Sequence, residues 1–201
     1  MISRIRGTVL ERDVDAVEIL TASGLVYEVE VPLTVFQRLP GKGAEVELRT
    51  VYVVKEDSAD LYGFIDPHER TMFSRLLTAS GVGPKLALGM LSTYTSARLA
   101  RALAERDSRA LTQVSGVGKK KADKIILELA DKVQDLAMTP DVPQAQASGA
   151  QEAVAALTGL GYSFVEADYA VREAVAAGDD TTAEALIRAV LASRQHKEAL
   201  Q

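Results

Sequence analysis

Apolar and polar residues alternate singly along the first third of the chain. The period of two runs around Ile5 and Val9, then through Val17-Glu18-Ile19-Leu20, Val26 to Val31, Val46 to Val54 and Leu61-Tyr62-Gly63-Phe64. Such a period puts alternate side chains on one face of a strand, so five short strands are expected. Asp13-Val14-Asp15, Ser23-Gly24 and Pro40-Gly41-Lys42-Gly43 supply turn residues, and Pro32 to Leu39 reads as a brief helical insertion. Five strands with an insertion between the third and fourth fit an OB-like barrel over residues 1–65.

At Asp66-Pro67-His68-Glu69 the period changes. Asp at the N-cap, Pro at N1 and Glu at N3 form a helix start, and helices are expected over 66–135. Residues 136–150 contain Pro140, Pro143 and several Ala, Gln and Ser, with no apolar face, and read as a flexible linker. Residues 151–201 return to helical spacing in three short amphipathic segments. The second opens at Ser163-Phe164-Val165-Glu166 and the third at Thr181-Thr182-Ala183-Glu184, with turns at Gly161-Tyr162 and Gly178-Asp179-Asp180. The expected fold class is α+β with several domains: a barrel, a helical domain and a small three-helix domain.

The helical middle repeats itself at 35 residues. Leu76-Leu77-Thr78-Ala79-Ser80-Gly81-Val82-Gly83-Pro84-Lys85-Leu86-Ala87 lies over Leu111-Thr112-Gln113-Val114-Ser115-Gly116-Val117-Gly118-Lys119-Lys120-Lys121-Ala122, and Met90-Leu91 over Ile125-Ile126. Each copy reads as a helix ending in Gly-Val-Gly with a second helix starting at once. Gly81, Gly83, Gly116 and Gly118 permit positive φ and leave amides uncovered at a helix N-terminus, where the dipole favours an anion. Lys85 in one copy, and Lys119, Lys120 and Lys124 in the other, supply counter-charge, so phosphate is the expected ligand. The pattern resembles the helix-hairpin-helix motif, which grips a sugar-phosphate backbone without reading bases.

Composition sharpens this picture. The 201 residues carry a net charge of −5, unevenly spread. Residues 1–65 hold seven basic and eleven acidic side chains, 66–135 twelve and eight, and 136–201 four and nine. The repeat thus sits in the one basic third, which suits nucleic acid, while the acidic last third suits a protein partner. With no cysteine and two histidines, disulfides, Cys/His zinc sites and thiol nucleophiles are excluded. Neither Gly-Val-Gly segment has Walker A spacing, so nucleotide hydrolysis is not expected; no catalytic residue, metal ligand or cofactor is assigned. No apolar run suits a membrane span and no signal peptide is evident, which reads as cytoplasmic.

The order of barrel, two hairpins, linker and helical tail resembles the RuvA family of Holliday-junction branch-migration subunits along essentially the whole chain. The resemblance also rests on Met1-Ile2-Ser3-Arg4-Ile5-Arg6-Gly7, on Val54-Lys55-Glu56-Asp57 before Leu61-Tyr62-Gly63-Phe64, and on Glu152 to Leu157 with Leu160-Gly161-Tyr162. It implies binding of a four-way DNA junction, held open for a RuvB-type hexameric ATPase in recombination and repair, with a RuvC-type resolvase as a further partner. It also implies a homotetramer, or an octamer built from two. Glu56 and Asp57 would form an acidic pin at the junction's centre. The last domain, UBA-like in this family, would contact the motor through Leu157, Leu160, Gly161, Tyr162, Leu186, Ile187 and Val190. Lys121 stands where the family often has Thr, and Lys124 where Arg is common.

Two other readings compete. A hairpin-type glycosylase or junction nuclease would need a catalytic Asp beyond the hairpin or converging carboxylates, for which only Glu56, Asp57 and Asp60 are dense enough. A general duplex or single-strand binding module would need aromatic platforms on the barrel, where Tyr27, Phe36, Tyr52, Tyr62 and Phe64 are the candidates.

Overall fold

The alternating segments form β1 (Arg4–Arg12), β2 (Ala16–Leu20), β3 (Val26–Glu30), β4 (Glu45–Val54) and β5 (Ala59–Phe64), closed into a barrel in the order β1-β2-β3-β5-β4. The computed structural model describes residues 2–13, 15–138, 147–176 and 182–198, in two units, Met1–Val142 and Pro143–Gln201. All pairings are antiparallel except β3 with β5, which meet in parallel at Glu30 and Tyr62. β1 pairs with β2 on one side and β4 on the other, and its register shifts between Val9 and Glu11, as expected of a bulge that helps a long strand curve. Val9, Val17, Ile19, Val29, Leu48 and Phe64 are fully buried, so the period of two has sorted the barrel's interior from its surface.

The helical insertion is α1 (Leu33–Phe36). It ties the barrel to the helices that follow: the Leu33 amide donates to Ser92 Oγ at 3.0 Å, and Thr34 Oγ1 donates to the Leu91 carbonyl at 3.0 Å, both buried. Behind it come α2 (Pro67–Leu76), α3 (Pro84–Thr93), α4 (Ser96–Ala104), α5 (Ser108–Thr112), α6 (Lys119–Leu129), a 3-10 turn at Ala130–Lys132, and α7 (Gln134–Ala137). Asp66 and Glu69 make the expected capping box at the start of α2. Glu69 also pairs with Arg38 beyond α1, and the Phe73 ring lies 5.0 Å from both Tyr62 and Phe64. Barrel and helical layer therefore share one continuous core.

The second unit consists of α8 (Ala147–Gly159), α9 (Phe164–Ala176) and α10 (Ala183–Glu198), each packed on the other two. Ala150, Ala153, Leu157, Ala167, Val171, Leu186 and Val190 are buried, small residues alternating with large ones so that the helices approach closely. The expected cap at α9 is present, the Glu166 amide donating to Ser163 Oγ at 3.2 Å and the Ser163 amide to Glu166 Oε2 at 3.0 Å. Of the segment read as linker, residues 139–146 lie outside the described residues, as do Thr181 and the turn at Gly178-Asp179-Asp180. Its ends are helical instead: Leu136 and Ala137 close α7 and residues 147–150 open α8, with Leu136 and Ala150 buried against their neighbours. No helix among the described residues is long and apolar enough to cross a membrane.

Candidate nucleic-acid interface

The 35-residue repeat is a repeat of geometry. The Val82 amide donates to the Ala79 carbonyl at 3.1 Å, and the Val117 amide to the Val114 carbonyl at 3.1 Å. Five residues on, Ala87 donates to the Gly83 carbonyl at 3.0 Å and Ala122 to the Gly118 carbonyl at 2.9 Å, each the first turn of a helix. Gly81 has φ 79° and Gly116 φ 81°, a left-handed conformation that costs a residue with a Cβ about 1–2 kcal/mol. Leu76 and Leu111, and Ala87 and Ala122, are fully buried beneath the two turns.

Two details correct the sequence reading. The first helices end at Leu76 and Thr112, not at the glycines, and a short turn spans the gap. Side-chain hydroxyls compete with the helix there: Thr78 Oγ1 donates to the Arg75 carbonyl and Thr112 Oγ1 to the Arg109 carbonyl, both at 2.7 Å. Positive φ falls only on the first glycine of each pair. Gly83 (φ −93°) and Gly118 (φ −81°) are the N-caps of α3 and α6, in extended backbone that any residue adopts. A side chain started at either would have no described atom within 4 Å. Neither helix N-terminus has a side-chain cap, so the first-turn amides keep their hydrogen-bonding capacity for a ligand. α6 offers the amides of Lys119, Lys120 and Lys121; α3, with Pro84 at N1, has one fewer.

The lysines divide by environment. Lys119 and Lys120 are exposed, with no carboxylate partner among the described residues. Lys124 Nζ stands 4.0 Å from Glu128 Oε1, one helical turn on. Lys121 Nζ donates to the Gly116 carbonyl at 3.0 Å, closing the second turn over itself. Exposed Lys85 is near enough to Glu30 to draw that carboxyl down, although burial and then Asp60 push it up overall. The sequence reading missed Glu128, whose Oε2 accepts the Ser80 amide at 2.7 Å. No local spacing could have exposed a contact across 48 residues.

Glu56 and Asp57 occupy the exposed tip of the hairpin between β4 and β5, closed by the Lys55 amide donating to the Ser58 carbonyl at 2.8 Å. Neither has a cationic partner among the described residues, whereas Asp60 is engaged by Lys55 at 3.5 Å and Ser58 at 3.1 Å. Among the described residues no three carboxylates or histidines are grouped so that they could hold a metal ion. On the barrel, Phe36 and Phe64 are fully buried and Tyr62 nearly so, Tyr27 is half-buried, and Tyr52 is exposed. In the second unit the candidate residues separate. Leu157, Leu186 and Val190 are buried in the core of their own three helices, while Leu160 is 64% exposed, Gly161 is exposed, and Tyr162 and Ile187 are half-buried. Tyr169, 49% exposed on α9, joins the accessible apolar set.

Comparison with known proteins places these parts in one lineage. Residues 1–63 match the RuvA N terminal domain, 73–131 the SAM-like helix-hairpin-helix tandem and 148–193 the RuvA C-terminal domain. Among curated relatives, the Holliday junction branch migration complex subunit RuvA of Gemmatimonas aurantiaca is 48% identical over 191 residues, covering 95% of this chain and 97% of its own. The proteins of the same name from Marinobacter nauticus and Citrobacter koseri are 40% and 39% identical, over 95% of this chain and 97% and 98% of theirs. With both terminal domain models and relatives of one name spanning barrel, hairpins and helical tail, the chain belongs to the RuvA family.

Proposed function

We propose that this chain binds four-way DNA junctions by structure and not by sequence, holds them open, and delivers their arms to a RuvB-type ATP-driven motor for branch migration in recombination and repair. The observation that carries the reading is the pair of matched hairpin turns, each with an uncapped helix N-terminus, a glycine whose Cβ position meets no described atom, and lysine close behind. No contact among the described residues requires glycine at 83 or 118, while close approach of a phosphate would. The loop amides around Gly81, Gly83, Gly116 and Gly118, with Lys85, Lys119, Lys120 and Lys124, are the groups assigned to the backbone.

The chain acts as a non-catalytic subunit: positioning and charge neutralisation are its contribution, and ATP hydrolysis belongs to the motor. Four copies around an axis would bring four Glu56-Asp57 tips to the point where strands exchange, repelling phosphates there while the lysines hold the arms. Two tetramers facing each other would make an octamer, and an open face of one would admit a RuvC-type resolvase. In the second unit the accessible set of Leu160, Gly161, Tyr162 and Ile187 is assigned to the motor.

The test is equilibrium binding of a four-way junction, matched duplex and single strand across a salt series. Replacing Lys119 and Lys120 together by Ala should weaken junction binding and flatten its salt slope by about 0.9 for each phosphate that is no longer neutralised. An unchanged slope would return both lysines to the solvated surface.

A further inference from the structure

The two hairpin loops hold each other in place. Glu128 lies on α6, in the second hairpin, yet its Oε2 accepts the Ser80 amide of the first at 2.7 Å. Its other oxygen, Oε1, faces Lys124 Nζ at 4.0 Å. In the opposite direction, Leu86 of α3 brings its Cδ1 to 3.8 Å from where a side chain on Gly116 would begin. The Glu128 carboxyl is held below its ordinary range, first by the Ser80 backbone and side-chain hydrogen bonds and then by Lys124 and Lys132, so it is ionised at neutral pH. Ser115, which matches Ser80 in the repeat, has no carboxylate on its amide among the described residues. Its turn is tied instead by Lys121 on the Gly116 carbonyl. One turn is thus braced by an anion on an N–H and the other by a cation on a C=O, and the anion reaches across from the neighbouring hairpin.

On charge alone, a carboxylate beside two phosphate-binding loops opposes DNA, and removing it should tighten binding. The geometry argues the reverse. We propose that Glu128 is a positioning residue for DNA binding, fixing the first loop from the helix of the second so that both present their remaining amides as one clamp of set spacing. It acts through the Ser80 amide and does not itself touch the nucleic acid. Without it the first turn is ordered only when DNA arrives, and that ordering cost is subtracted from affinity. The inference rests on the DNA-binding reading of the hairpins given above.

The two accounts of Glu128 predict opposite signs. In the full chain, Glu128→Ala should weaken binding of a synthetic four-way junction about tenfold, equivalent to about 1.4 kcal/mol. It should also speed hydrogen exchange at the Ser80 amide while leaving the thermal unfolding midpoint in place. Glu128→Gln keeps an acceptor for that amide and removes the charge, so it should bind as the unsubstituted chain does, or more tightly. Unchanged or tighter binding by Glu128→Ala would overturn the proposal, as would unchanged exchange at Ser80, a weakening that Gln does not recover, or an unfolding midpoint that falls in step with affinity. Equal affinity of the unsubstituted chain for junction and duplex would instead defeat the junction reading, and the exchange measurement would still decide the brace.

Discussion

Glycines that look alike in the sequence answer to different forces. A Cβ on Gly7 of β1 would fall 2.2 Å from the Leu20 carbonyl oxygen, a backbone atom that cannot swing aside. Gly7→Ala should therefore destabilise the barrel by about 1–3 kcal/mol, read as a lower midpoint in urea. Gly118→Ala adds a methyl into space free of described atoms at an ordinary φ, and should change stability by no more than about 1 kcal/mol as a weaker N-cap. On the DNA-binding reading its effect should appear in junction affinity, because the methyl would occupy the space proposed for a phosphate. Equal affinity for Gly118→Ala and the unsubstituted chain would show that the backbone of DNA keeps its distance from this turn.

Between elements, a few polar contacts decide how the helices close. Arg75 of α2 reaches Asp135 at the start of α7 through two hydrogen bonds of 2.5 and 2.8 Å, pulling the end of the helical layer back onto its beginning. The Arg75 hydrogen bonds hold the Asp135 carboxyl down at about 2, against about 3.9 for a free aspartate. A folded-state value below the unfolded one means the contact stabilises fully above about pH 4 and fades as pH falls toward 2. Asp135→Asn should accordingly be less stable than the unsubstituted chain at pH 6, with the gap closing between pH 4 and 2 in a series of urea titrations. A gap constant across that range would mean the pair contributes nothing through ionisation. Glu69 behaves in the opposite sense: burial raises its carboxyl despite Arg38, so its contribution weakens as pH rises past its usual value.

At the scale of the whole molecule, the net charge of −5 hides a division of labour. The basic third carries both hairpins, while the exposed hairpin tip of the barrel carries the acidic pair Glu56 and Asp57. In the proposed tetramer, the Glu56→Gln, Asp57→Asn double substitution would remove repulsion at the centre without touching the lysines. It should retain or strengthen DNA binding, raise duplex affinity relative to junction, and alter the rate of motor-driven branch migration. If the junction-to-duplex ratio and the migration rate both stayed the same at matched salt, the pair would be an ordinary solvated turn.

Local patterns in the chain determined much of this. The period of two yielded the five strands, Asp66-Pro67-His68-Glu69 the start of α2, Ser163 and Glu166 the start of α9, and the 35-residue repeat the paired turns, since each depends on residues a few positions apart. Such signals survive in one dimension because backbone hydrogen bonding and side-chain direction act over the same short range. Which glycine of each pair takes positive φ is seen only in the folded chain, because it follows from where the preceding helix stops. Tertiary structure alone buried Leu157, Leu186 and Val190 while leaving Leu160 exposed, since apolar spacing does not say which residues three packed helices will cover. It alone joined Glu128 to Ser80, Arg75 to Asp135 and Arg38 to Glu69, pairs brought together by chain closure over 31 to 60 residues. A charge in sequence has many prospective partners, and only the packed core selects one.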